Sequence, residues 1–328
     1  MKCPKCGYRQ GWNKDGYVCR KCKREYVLNP KTSEWNDLRF LATVRRASRN
    51  DTYYFTENGF WRATAPAGAM GPAMRFLVAL FVCGIGYVLT TSFQNELGAL
   101  RWLAFLGFVG LSVVVYRANG QRVFSKKSAT SALKTWLREG DDLPKLIHHP
   151  AVAEPPPQWA EEDIYEYGFE NLLLVNRPEI VDYLVLNGFP QASSTVVVTP
   201  QGYPEYLLPI VEKALAADNP LDRPRIFLLH DAGVKEGESW KNLLFQVEEV
   251  DRERSLHLGL SLAVLDQLKG VRTIFSTSQK KKLPVDALDY LLLSNLLSKS
   301  FETGQSFEEI LADQRESEFG EDFALSFG

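Results

Sequence analysis

The chain has 328 residues and a formal net charge of −2. That length suits one good core with accessory segments, and a near-neutral balance gives no global charge argument for nucleic-acid binding. The charge is polarised, however: residues 1–49 hold thirteen Lys/Arg against four acids, and residues 302–328 hold eight acids against one base, Arg315.

At the N-terminus, Cys3-x2-Cys6 and Cys19-x2-Cys22 form two CxxC pairs twelve residues apart. Each pair is a tight turn presenting two thiolates, and two such turns complete a tetrahedral four-sulfur site. The segment between them reads as a hairpin with Lys14-Asp15-Gly16 at its tip. The expected module is a zinc ribbon over 1–30, with Zn²⁺ held structurally by Cys3, Cys6, Cys19 and Cys22. Two disulfides or a redox CxxC are the competing readings. A four-thiolate site needs reduced thiols, which predicts a cytosolic location for this end. The neighbours Lys21, Lys23 and Arg24 offer a nucleic-acid or anionic-lipid contact, or simply a solvated surface.

Residues 31–72 read as a small β or juxtamembrane region. Within them "DTYYFTENGFWRAT" (51–64) alternates around Asn58-Gly59 and predicts a second hairpin. No secretory signal is expected, because the first apolar stretch of the right kind starts only after residue 70.

Residues 73–117 predict a transmembrane helical hairpin. The run 76–93 contains no charge, and 99–116 contains only Arg101. Each approaches the ~20 apolar residues needed to cross a bilayer. Arg45, Arg46, Arg49, Arg62 and Arg75 precede the pair, and Arg117, Arg122, Lys126 and Lys127 follow it. Positive flanks stay inside, so both termini are expected in the cytosol, at a bacterial-type inner membrane. Gly84, Gly86, Gly107 and Gly110 permit close helix contact, within the hairpin or between copies. No ionisable residue falls mid-membrane, which argues against a transporter.

Residues 118–160 read as an amphipathic helix and a proline-rich linker, "HHPAVAEPPPQ", with His148 and His149 as linker residues. From 161 to 301 apolar strands alternate with amphipathic helices, which predicts an α/β domain with a mainly parallel sheet. Strands are expected at 171–175, 194–200, 225–231 and 271–276. Helices are expected at 178–188, 203–217, 238–250 and 284–301. Pro178 opens the first helix and Gly188 closes it. The tail 302–328 is acidic with one helical patch at 305–315, and is read as flexible or partner-binding.

The motifs Val175-Asn176-Arg177, Gly188-Phe189, Thr199-Pro200-Gln201-Gly202-Tyr203-Pro204, Asp231-Ala232-Gly233 and Leu258-Gly259-Leu260 occur in a telling order. Together they resemble the TOPRIM domain of the DNA-cleaving A subunit of topoisomerase VI and its meiotic relatives. The resemblance covers about residues 168–275 and implies a TOPRIM-like fold. In that family a glutamate after the first strand and two aspartates after the third hold Mg²⁺. Here those positions are Asn176, Asp231 and Gly233, so a single carboxylate remains and Mg²⁺ is not expected. The family's catalytic tyrosine lies on a preceding winged-helix domain, for which the stretch between the expected membrane hairpin and residue 164 reads as too short and too proline-rich.

Asp231 therefore has three readings. It caps the following turn, it belongs to a ligand pocket with Asn176, Arg177, Gln201 and His230, or it binds a metal. The sequence predicts a membrane-anchored, non-catalytic sensor, scaffold or recruitment protein. Its expected partners are the lipid bilayer and a protein, with a nucleotide or nucleic acid as a further option. The alternatives are a membrane-tethered, metal-dependent nucleic-acid-processing enzyme and a structural membrane-organising protein.

Overall fold

The structure, a computed structural model, describes residues 3–10, 18–28, 34–65, 124–154, 168–219, 223–231, 255–259 and 284–316. No helix among them is long and apolar enough to cross a membrane. The two apolar runs, the hairpin tip at 14–16, the helix expected at 238–250 and the strand expected at 271–276 lie outside the described residues.

The centre is a four-stranded, wholly parallel sheet, as the alternating pattern predicts. Its strands are β1 (Asn171–Val175), β2 (Thr195–Val198), β3 (Arg225–Leu229) and β4 (Ser255–His257), in the order β2-β1-β3-β4. Val175 pairs with Leu229, so β1 and β3 end level. Side chains alternate across the sheet. Leu173, Val175, Val197, Phe227 and Leu229 join the larger core. Leu172, Leu174, Val196, Val198, Ile226 and Leu228 join a second core on the opposite face. Burial on both faces explains why these strands read as continuous apolar runs.

The larger core takes helices Pro178–Leu186, Tyr290–Thr303 and Phe307–Glu316. Pro178 stands in the first turn of the first of these, and Gly188 follows it with φ 78°, a left-handed conformation that glycine adopts freely. Asp289 accepts from Leu291 N–H at the start of Tyr290–Thr303, and Gly304 ends that helix at φ 69°. Ser306 and Glu309 form a reciprocal capping box ahead of the last helix.

A further layer packs on the same core, and its construction departs from the sequence reading. Residues 37–47 and 57–63 are helices, Asp37–Ala47 and Glu57–Ala63. The hairpin expected over 51–64 is absent. Thr56 caps the second helix by accepting from Gly59 N–H, so the Asn58-Gly59 pair lies in a first helical turn rather than at a hairpin tip. These helices meet Lys126–Glu139, capped by Ser125. Trp35, Phe40, Phe60, Phe124 and Trp136 stack between them, with Phe40 and Trp136 rings 4.5 Å apart. Gly140 is required where this helix ends, because a Cβ there would lie 2.8 Å from the Trp136 ring.

The segment after this helix is no detached spacer. Phe55 bridges Leu146, Ile147 N–H donates to Phe55 O at 3.0 Å, and Val152 is fully buried. Apolar burial at Leu143, Leu146 and Val152 outweighs the stiffness that the downstream prolines suggest.

Two of the arginines expected to flank the membrane also point inward. Arg49 pairs with Asp289 at 2.9 Å, and Arg62 reaches the same carboxylate at 3.6 Å. Burial lowers the Arg62 guanidinium below its usual value, against the pull of Asp289.

Candidate functional site

Two places combine chemistry with defined geometry. The first is the cysteine cluster. Its two turns are built alike. Cys3 N–H donates to Tyr8 O and Gly7 N–H to Cys3 O; Cys19 N–H donates to Arg24 O and Lys23 N–H to Cys19 O. Gly7 and Lys23, at matching places, both have positive φ, 70° and 59°. Gln10 ties the turns together, donating to Val18 O and accepting from Arg20 N–H.

The Sγ atoms of Cys3 and Cys22 are 3.6 Å apart, as are those of Cys6 and Cys19, and all four sulfurs lie within 4.8 Å of one another. A disulfide requires about 2.05 Å, so no sulfur pair here is bonded. A tetrahedral zinc with Zn–S of about 2.3 Å sets its sulfurs about 3.8 Å apart. The four cysteines fit that ion. The Cys19 thiol is pulled down to about 6, first by its backbone hydrogen bond with Cys22. The Cys6 thiol is helped by a backbone hydrogen bond with Tyr8, but burial and the neighbouring sulfurs push it up to about 11. Tyr26 packs on the cluster, and the buried Asp37 carboxylate accepts from Val27 and Leu28 N–H, tying the turns to the main body. Arg24 adds a 2.5 Å ion pair to Asp141.

The second place is the carboxyl end of the sheet between β1 and β3. The order of strand addition reverses there, β2 lying outside β1 on one side and β4 outside β3 on the other. Such a switch point is where open α/β sheets hold their ligands. Asn176 continues the ladder, its N–H donating to Leu229 O at 3.2 Å. Arg177 follows at the start of Pro178–Leu186. His230 and Asp231 follow β3.

Asp231 is fully engaged. Arg177 Nε donates to its Oδ2 at 2.6 Å and Nη2 to its Oδ1 at 3.2 Å, a two-pronged pair. Val285 N–H donates to Oδ1 at 2.7 Å, and Asn176 Nδ2 approaches Oδ2 at 3.5 Å. Arg177 Nη2 also bonds Asp286, whose side chain is 1% exposed, and Nη1 lies 3.6 Å from Glu179. Burial alone would lower the Arg177 guanidinium, but Asp286 and Asp231 together raise it above its usual value. One guanidinium is therefore clasped between two carboxylates. The turn directly after Asp231 lies outside the described residues; the Asp231 carboxylate instead accepts from Val285 N–H, at the start of the distant Val285–Ala287 turn.

His230 is buried beside this cluster. Its Nδ1 lies 3.2 Å from Asp231 O, an acceptor, so Nδ1 bears the proton. Nε2 has no hydrogen-bond partner among the described residues. The ring lies close against Gly259, where a Cβ would fall 2.0 Å from Cε1 and 2.2 Å from Nε2. Gln201 is exposed in the turn after β2.

Asn176, Arg177 and Asp231 thus come together; of this cluster His230 meets the Asp231 backbone carbonyl, and Gln201 makes no hydrogen bond with it among the described residues. The sequence reading misses Asp286. Its one signal is a second acid, in "PVDALD", beside Asp289 at a helix start. It also misplaces His149, which is no bare linker residue. Asp182, fully buried, accepts from His149 Nδ1 at 2.8 Å, Tyr203 Oη at 2.5 Å, Ala151 N–H and Val152 N–H. Burial and the Asp182 hydrogen bond raise the Tyr203 hydroxyl above its ordinary value. A lone acid inside the apolar "IVDYLVL" is the signal for this hub.

No protein-family model matches the chain, and no curated protein or solved structure matches it. The likeness to TOPRIM domains rests on the sequence motifs and on a parallel sheet.

Proposed function

We propose that the chain is a membrane-anchored, non-catalytic scaffold or recruitment protein at a bacterial-type inner membrane. Its N-terminal ribbon holds a structural Zn²⁺. The apolar runs 76–93 and 99–116 form a two-pass anchor with both termini in the cytosol. A TOPRIM-like cytosolic domain binds a partner protein.

The observation that carries the non-catalytic reading is the state of Asp231. In the family that the motifs resemble, this carboxylate would face a divalent cation. Here the Arg177 guanidinium stands between Asp231 and Asp286, and Val285 N–H takes a further lone pair. A cation supplied by the chain itself neutralises the carboxylates and competes with any metal.

Manganese titration of the full-length protein, followed by electron paramagnetic resonance, together with a DNA-cleavage assay, tests this. The expected results are no Asp231-dependent Mn²⁺ binding up to millimolar metal, and no cleavage. Cleavage that Asp231→Ala abolishes would replace this reading with that of a membrane-tethered nucleic-acid enzyme.

A further inference from the structure

The chain leaves the described body at Ala65 and re-enters it at Phe124. These points adjoin: Trp61 Nε1 donates to Phe124 O at 3.1 Å, with both residues buried. Everything from 66 to 123, including both apolar runs, therefore starts and finishes at one spot on the helical layer.

That spot is basic. Arg39 lies over the Phe124 ring at 5.1 Å, and Lys126 lies over the Trp61 ring at 5.9 Å. Lys127 follows and is exposed. Arg46 is seven residues from Arg39, which puts both on one face of Asp37–Ala47. After burial, the Arg39 charge is the second cause lowering the Arg46 guanidinium, so the two cations feel one another.

None of Arg39, Arg46, Lys126 or Lys127 makes an ion pair among the described residues. Arg49 and Arg62, equally close in sequence, do. The carboxylates nearby are already hydrogen-bonded: Glu34 accepts from Ser128 and Glu57 from Thr130. Four cations against two engaged acids leave an excess of positive charge around the exit point.

We infer that this face of the helical layer lies on the bilayer, with Arg39, Arg46, Lys126 and Lys127 contacting anionic phospholipid headgroups. The inference rests on the two-pass anchor proposed above. The buried aromatic rings beneath hold the cations outward. Juxtamembrane Lys and Arg are the side chains that anionic leaflets attract.

The test uses the full-length protein reconstituted in vesicles of phosphatidylcholine, with and without about a third phosphatidylglycerol, to follow a charge-dependent contact. Lysine acylation rates are read by mass spectrometry, with the exposed Lys213 as reference. Carbonate extraction reports membrane integration separately. The expected result is an integrated protein whose Lys126 and Lys127 react about fivefold more slowly in anionic vesicles, with Lys213 unchanged. Salt at about 1 M, where the screening length falls to about 3 Å, restores their rates. Integration with equal rates in both vesicles would overturn the headgroup contact and leave the anchor standing. Extraction by carbonate would overturn both.

Discussion

Replacing Arg177 by methionine removes the cation but keeps most of the side-chain volume. Asp286, 1% exposed, and Asp231, 15% exposed, would then face each other without compensation. Removing one partner of a buried ion pair costs about 3–5 kcal/mol, because the other charge stays desolvated. For a body of this size 1 kcal/mol moves the melting temperature by about 2–4 °C, so the expected drop is about 6–20 °C. The assay is thermal unfolding of zinc-loaded protein, followed by near-ultraviolet circular dichroism. Adding Asp231→Asn and Asp286→Asn to Arg177→Met should recover much of the loss, since all three charges are then gone. Millimolar Mn²⁺ should stabilise the single variant and leave the wild type unmoved. A loss below about 1 kcal/mol for Arg177→Met would refute the idea that the guanidinium neutralises these carboxylates.

Removing zinc with a strong chelator should unfold the cysteine turns while the sheet persists, because a ribbon of this size has too little core of its own. One zinc per chain by metal analysis, lost in Cys6→Ser, is the matching check. Gly259→Ala should cost about 1–3 kcal/mol by driving a methyl into the His230 ring. Most of that should return in the double variant with His230→Ala, as read by chemical denaturation. The Glu309 carboxyl is held below its ordinary value by Ser306 N–H, then by the Ser306 hydroxyl. Because its folded pKa is depressed, its contribution is present above its unfolded value of about 4.5 and fades as pH falls through the folded one. An NMR titration of Glu309 in wild type and Ser306→Ala should show the depression lessen but persist, because the variant loses the hydroxyl and keeps the backbone N–H at that position.

The sheet was legible because its signals are local. NLLLV, TVVV and RIFLL are apolar on both faces, and Pro178 and Gly188 mark a helix by their own backbone preferences. The cysteine turns were legible for the same reason, four ligands at fixed spacing. The three-residue β4 is too short and too polar at His257 to stand out. The Glu57–Ala63 helix was misread because Asn-Gly favours a turn, while the cap that decides the matter is a single Thr56 hydroxyl. The amphipathic helix in 118–160 was legible and stands at Lys126–Glu139, but its packing with Asp37–Ala47 and Glu57–Ala63 was missed because the contacts are long-range: Arg49 meets Asp289 across 240 residues, and Trp35 Nε1 meets Ser128 across 93. Arg177 and Asp286 are 109 residues apart, so no local pattern could reveal that the strand-end carboxylate is shared.

The adjacency of Trp61 and Phe124 also bears on how the chain is made. The two residues are 63 positions apart, and synthesis proceeds at about 5–20 residues per second, so Phe124 is added roughly 3–13 s after Trp61. During that interval Trp35, Phe40 and Phe60 lack the helix that covers them. The intervening apolar runs are synthesised in the same interval. Closure of the helical layer is thus a late event in biogenesis, timed by the handling of residues 66–123.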